Sequence, residues 1–321
     1  MSRRYVALTA QAAVTVALLA LLAPTLDLDR LAALLLRVPL TFYLASLAVV
    51  ISGQVAYAWR WQLLLTAAGV RVPFGSVLRQ YFVGIFANNF LPSTVGGDVV
   101  KVYNLGRNHG YRAVTASVAI DRVLGVGLLA SLASLTLWAS PVTAPALAAA
   151  RVASSSIAIA VFGLLLAIRL GTGGLPDRVE RLGEAAVRLA ARLQRLRFDM
   201  AAPLASPAVI AQAAVVVVAY AAAVTLLYLR FISLQGPAPA FLATFAVVTA
   251  TTVLSNVPIS LNGLGLREQL HVSLLAPLGV SREVAVAMSL LLYAHLLIAS
   301  LIGLVFWLRT PTGASDIAEV Q

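Results

Sequence analysis

Two stretches of this chain interrupt apolar sequence with helix breakers, amides and ionisable groups. The first reads Asn89-Phe90-Leu91-Pro92-Ser93-Thr94-Val95-Gly96-Gly97-Asp98 and is followed by Lys101 and Arg107. The second runs from Asn256 through Pro258, Ser260, Asn262, Gly263 and Gly265 to Arg267 and Glu268. A helix that begins near Ser93 or Thr94 aims unpaired backbone N–H groups and its positive dipole end into the protein, which attracts phosphate or carboxylate. Gly96 and Gly97 let backbone approach a ligand closely, and Lys101 and Arg107 add positive charge. Ser260, Gly263, Gly265 and Arg267 supply the same parts in the second stretch. Together these residues make a cradle for an anionic headgroup. The same glycines and prolines also suit tight helix packing and a simple kink, and both readings stay open.

The ionisable residues expected at membrane depth are Asp98, Asp121, Arg122, Arg267 and Glu268, with His295 inside the last apolar run. A charge at the bilayer centre costs about 2.5 to 3.5 kcal/mol on insertion scales, so deep charges should face a cavity or one another. Pairing of Arg122 or Arg267 with Asp98 or Asp121 follows, either as part of a ligand site or as a lock between helices. Metal and thiol chemistry are not indicated: cysteine is absent, and His109, His271 and His295 are too far apart in sequence to form a ligand pattern. Gly263-x-Gly265 has Glu268 where a dinucleotide fingerprint needs its third glycine, and no βαβ pattern surrounds it. No cofactor motif is found.

The elements that must position these residues are transmembrane helices. The chain is 61% hydrophobic and only 11% charged, with mean hydropathy +0.94, whereas soluble domains carry about 25% charged residues. The formal charge of +11 comes mostly from arginines beside apolar runs, the pattern of cytoplasmic loops rather than of nucleic-acid binding. Spans are expected at Tyr5 to Ala23, Leu40 to Ala58, Ser117 to Trp138, Ser154 to Ile168, Pro207 to Leu229 and Glu283 to Leu308. The Asp27, Asp29 and Arg30 stretch reads as an external loop, and Trp59-Arg60-Trp61 as an interfacial anchor. The segment from Tyr81 to Leu91 is too short to cross and has basic residues on both sides, so it reads as re-entrant. Residues 176–197 carry apolar and arginine positions at helical spacing, which predicts an amphipathic cationic helix on the cytoplasmic surface. The expected fold class is therefore an all-α polytopic membrane protein with about six full transmembrane helices and two re-entrant broken-helix segments. One integral membrane domain covers 1–309 and a disordered polar tail 310–321, with both termini in the cytoplasm and the whole in the cytoplasmic (inner) membrane.

A repeat is also expected. Span, broken segment and span recur in units at about 40–138 and 207–308, with centre-to-proline-to-centre spacings of about 40 and then about 35 residues and opposite starting directions. That pattern predicts an inverted-topology repeat.

The phrases Phe86 to Pro92 with Gly96-Gly97-Asp98, Ile120-Asp121-Arg122-Val123-Leu124-Gly125, and Pro258 to Glu268 resemble the lysylphosphatidylglycerol synthase transmembrane, or flippase-like, family of membrane proteins. The last of these phrases in that family usually has glycine where Asn262 stands here. The resemblance implies a lipid-handling membrane domain without the soluble aminoacyl-transferase domain that some members carry. It suggests a flippase or transporter for an anionic or glycosylated lipid, with membrane lipids as partners and no nucleic acid. Two other classes remain: a membrane-embedded transferase using Asp98 or Asp121 as general base, and an accessory subunit without transport. A homo-oligomer is compatible with either.

Overall fold

The computed structural model describes residues 3–90, 96–170, 194–195, 197–257 and 259–309. Pro92, Ser93 and Pro258, most of the cationic stretch 176–197 and the tail 310–321 lie outside the described residues. Among the described residues the chain is helical, without strands. In chain order the helices are α1 (Arg3–Leu22), α2 (Leu28–Leu36), α3 (Leu40–Ala67), α4 (Phe74–Phe90), α5 (Gly96–His109) and α6 (Tyr111–Ala139). They continue with α7 (Pro145–Leu170), α8 (Pro207–Ser233), α9 (Phe241–Leu254), α10 (Leu266–Leu275) and α11 (Arg282–Leu308). Five of these, α3, α6, α7, α8 and α11, are long and apolar enough to cross a membrane, and the bent pair formed by α1 and α2 would make a sixth.

The bend corrects the expected external loop. Pro24 ends α1, and Asp27 then caps a new helix by accepting the Arg30 backbone N–H at 2.9 Å, with Asp29 in its first turn. The two helix axes meet at 90°. Asp27 and Asp29 thus belong to the start of α2, which at nine residues is too short to read as a span. A second correction concerns Trp59-Arg60-Trp61: α3 continues past Ala58 to Ala67, and Arg60 and Trp61 are buried at 7% and 1% exposure instead of sitting at an interface.

The first broken segment is a helical hairpin. α4 and α5 have 17 and 14 residues, short of the roughly 20 needed to cross hydrocarbon. They run antiparallel, since Asn88 accepts the Gly97 N–H at 2.8 Å while Gln80 pairs with Asn104 at 2.8 Å. A Cβ on Gly97 would lie 1.9 Å from the Gly84 carbonyl oxygen, so the helices cross backbone to backbone. At Gly97 the close approach of backbone therefore serves helix packing.

The second broken segment comprises α9, a 3-10 turn at Leu261–Gly263, and α10. Its chain reversal uses left-handed backbone at Asn262 (φ 49°), Gly263 (φ 75°) and Gly265 (φ 80°). Asn tolerates this region better than other non-glycine residues. α1 backs the turn: Leu261 N–H donates to Thr15 Oγ1 at 2.8 Å, and Gly265 abuts Leu18.

α11 passes both hairpins. Leu274 and Leu275 of α10 share a core cluster with Val280, just before α11, and with Val284 and Ala285 at its start, whereas Gly303 near its end meets the Phe82 carbonyl of α4. The hairpins thus lie toward opposite ends of α11. Their tips join where Asn262 Nδ2 donates to Asn89 Oδ1 at 2.7 Å.

The crossing at Gly303 leaves no room for a side chain, because a Cβ there would sit 2.1 Å from the Phe82 carbonyl oxygen. Gly303→Leu should lower the thermal unfolding midpoint of detergent-purified protein by about 2–4 °C, the effect of overpacking by about 1–3 kcal/mol. Gly163→Ala on the exposed face of α7, where a Cβ meets nothing within 4 Å, should not lower that midpoint and should raise it slightly, because alanine favours helix interior over glycine.

Candidate functional site

Where the hairpin tips meet, the helices line a partly open cavity of about 470 Å³. Its wall draws on both hairpins and on α3, α6, α8 and α11. From the expected residues it takes Asn89, Arg122, Ser260, Gly263 and Arg267. Five tyrosines (Tyr57, Tyr81, Tyr220, Tyr228 and Tyr293) also line it, with Gln54, Asn88 and His271. The tyrosines lie on three long helices and α4, so no local sequence pattern announces them.

The carboxylates stand behind this wall. Arg122 Nε is ion-paired with Asp98 Oδ2, and Lys101 Nζ reaches Asp98 Oδ1 at 3.3 Å from one turn further along α5. Lys101 also lies over the rings of Tyr81 and Trp61, at 4.5 and 5.4 Å. Asp121 accepts from Arg60 Nε at 2.8 Å, and Gly125 leaves the space into which the Arg60 guanidinium fits. Glu268, 1% exposed, accepts from Gly265 N–H at 2.7 Å, Ser289 Oγ at 2.8 Å and Arg267 Nη2 at 3.1 Å. Arg267 in turn lies 4.5 Å from the centre of the Tyr293 ring. One of the pairs expected from sequence, Arg122 with Asp98, is present. Asp121 takes Arg60 instead, and Arg267 takes its neighbour Glu268.

Gly265 and Gly97 serve backbone geometry, Gly96 opens α5, and Arg107 sits in the last turn of α5 over the Tyr103 ring, away from the wall. Arg60 is the charged residue that sequence reasoning misplaced. Its signal was present: an arginine inside a run of apolar helix is expected to face a partner within the protein. His295 is buried in α11 with its ring against Tyr43, at 6.3 Å between centroids, and does not line the cavity.

This arrangement has an electrostatic sense. Four cations (Arg60, Lys101, Arg122 and Arg267) face three carboxylates (Asp98, Asp121 and Glu268) in the cluster around the cavity. The guanidiniums of Arg122 and Arg267 reach the wall while the carboxylates lie behind them. The cavity surface is therefore cationic, and a guanidinium binds phosphate or carboxylate with geometric selectivity.

The Arg60–Asp121 pair is testable by a double-mutant cycle. Arg60→Met and Asp121→Leu should each lower stability by about 3–5 kcal/mol, because each leaves an uncompensated buried charge, whereas the double variant should cost much less than their sum. Unfolding midpoints in detergent would read this, and strictly additive losses would mean that the two side chains do not interact.

The profile of the lysylphosphatidylglycerol synthase TM region matches residues 8–308. A UPF0104 membrane protein of Pyrococcus horikoshii is 25% identical over 299 residues, covering 82% of this chain and 85% of the relative. Arg122, Arg267 and the two hairpins all fall inside the matched range. The chain belongs to the lysylphosphatidylglycerol synthase TM region family.

Proposed function

We propose that the chain is a flippase-like transporter that moves an anionic or glycosylated lipid across the cytoplasmic membrane. The observation that carries this reading is the cationic, tyrosine-lined cavity at the junction of two opposed helical hairpins. Broken helices tolerate irregular backbone at membrane depth where it lines a cavity, and transporters built from inverted repeats bind their substrates at such a junction. The recurrence of span, hairpin and span in α3 to α6 and in α8 to α11, with the hairpins toward opposite ends of α11, supports an inverted repeat. A headgroup would rest against Arg122 and Arg267 while its acyl chains remain in lipid. Asp98 and Asp121, the candidate bases for a transferase, are held by Arg122, Lys101 and Arg60 and do not line the cavity, which favours transport over group transfer.

In proteoliposomes containing a fluorescent anionic phospholipid, the wild-type chain should accelerate exchange between leaflets, read as the fraction of label accessible to a membrane-impermeant quencher. Arg122→Gln and Arg267→Gln should each slow exchange by about tenfold or more, the loss expected for one charge-assisted contact. Gly163→Ala should leave the rate unchanged. Equal rates in wild type and both arginine variants would overturn the site, and a wild-type rate no faster than protein-free vesicles would overturn the transport reading.

A further inference from the structure

The cavity wall has a second, uncharged part that the cationic reading leaves unused. Thr251 Oγ1 and Ser260 Oγ are both on residues 1% exposed, both line the cavity, and neither has a hydrogen-bond partner among the described residues. Asn89, a half-buried residue, lines the same cavity, and its Nδ2 likewise has no partner among the described residues. Hydroxyl neighbours on the same helix behave differently: Thr249 Oγ1 donates to the Phe245 carbonyl at 2.8 Å, and Thr252 Oγ1 to the Val248 carbonyl at 2.7 Å. Leaving such a group unsatisfied costs about 1–3 kcal/mol, and three such groups on residues lining one cavity call for a polar occupant.

The chemistry of that occupant follows from the donors. Asn89 Nδ2 can only donate, so an ammonium group, which also only donates, would leave it unpaired. A phosphate would be drawn to the guanidiniums of Arg122 and Arg267, leaving the neutral wall to a neutral group. A hydroxyl both donates and accepts, which matches an amide N–H and two uncommitted side-chain hydroxyls. The tyrosines add apolar ring faces with polar tips, suited to a ring that is apolar on its faces and hydroxylated at its rim. At about 470 Å³ the cavity is in the range of small-molecule sites, roughly 300–1,000 Å³, and holds more than a bare phosphate.

We propose that Thr251, Ser260 and Asn89 form a hydroxyl-recognition subsite, so that the lipid selected is one whose phosphate carries a sugar or cyclic polyol. This rests on the transport reading for its lipid but not for its binding chemistry. Two measurements on the full chain separate the readings. In detergent, myo-inositol 1-phosphate should bind at least about tenfold more tightly than inorganic phosphate, because a site built to pair hydroxyls discriminates against a ligand lacking them. Thr251→Val combined with Ser260→Ala should reduce that preference about tenfold, whereas Arg267→Gln should weaken both ligands. In proteoliposomes, labelled phosphatidylinositol should exchange faster than labelled phosphatidic acid, and the double variant should bring the two rates together. Equal affinities for the two soluble ligands in wild type, or a preference unchanged in the double variant, would overturn the subsite. Persistence of the binding preference in a chain that moves neither lipid would uphold the subsite and overturn transport.

Discussion

A carboxylate inside a bilayer cannot stand alone, and the arrangement around the cavity follows from that constraint. Asp98, Asp121 and Glu268 each meet a cation supplied within the protein. Two of these pairings join separate helices, α5 with α6 and α3 with α6, so the ion pairs also fix where the hairpin sits against the long spans. The third is local to α10, where Glu268 also accepts the Gly265 N–H at the helix start and a Ser289 hydroxyl from α11. Neutralising the acids from behind leaves Arg122 and Arg267 with part of their guanidinium surface toward the cavity. The same contacts that make the charges tolerable thereby give the cavity its sign.

Backbone obeys a parallel rule. Helix breaks at membrane depth expose N–H and C=O groups that lipid cannot satisfy, so each must be met from within the protein. Asn88 takes the Gly97 N–H at the first hairpin, Thr15 of α1 takes the Leu261 N–H at the second, and Glu268 takes that of Gly265. α1 therefore does more than precede the first hairpin: it closes the back of the turn whose front forms cavity wall at Ser260, Asn262 and Gly263. Asn262 serves both requirements, since its left-handed backbone makes the reversal and its side chain reaches Asn89 on the other tip.

The legible part of the fold was the part written in local pattern. The five long spans follow from uninterrupted apolar runs, and both broken segments from short apolar stretches flanked by Pro, Gly and charge. The helix α2 was missed because nine residues carry too few turns for a periodic signal, although Asp27 at its N-cap and Asp29 in its first turn mark its start. Arg60 was misassigned because tryptophan beside arginine is the pattern of an interface anchor, and only the helix position of Gly125 and Asp121 shows that a buried pocket awaits it. The tyrosine wall was illegible for a different reason: Tyr57, Tyr220 and Tyr293 come from helices far apart in the chain, and their convergence is a property of packing alone.

Gly97 and Asn89 show how a motif can be read correctly as important and still divide between two tasks. Gly97 has its missing side chain filled by the Gly84 carbonyl, so its conservative role is to bring α4 and α5 together. Asn89, eight residues earlier, lies at the end of α4, where it lines the cavity and meets Asn262 of the other hairpin. Without the glycine crossing, the hairpin would be wider and its tip less firmly placed against Asn262. Packing glycines and cavity-lining polar residues are therefore two levels of one device, in which tight backbone contact near the hairpin's tip positions polar groups at its end. A ligand cradle and a helix-packing motif, opposed as explanations of the same sequence, are successive steps of the same structure.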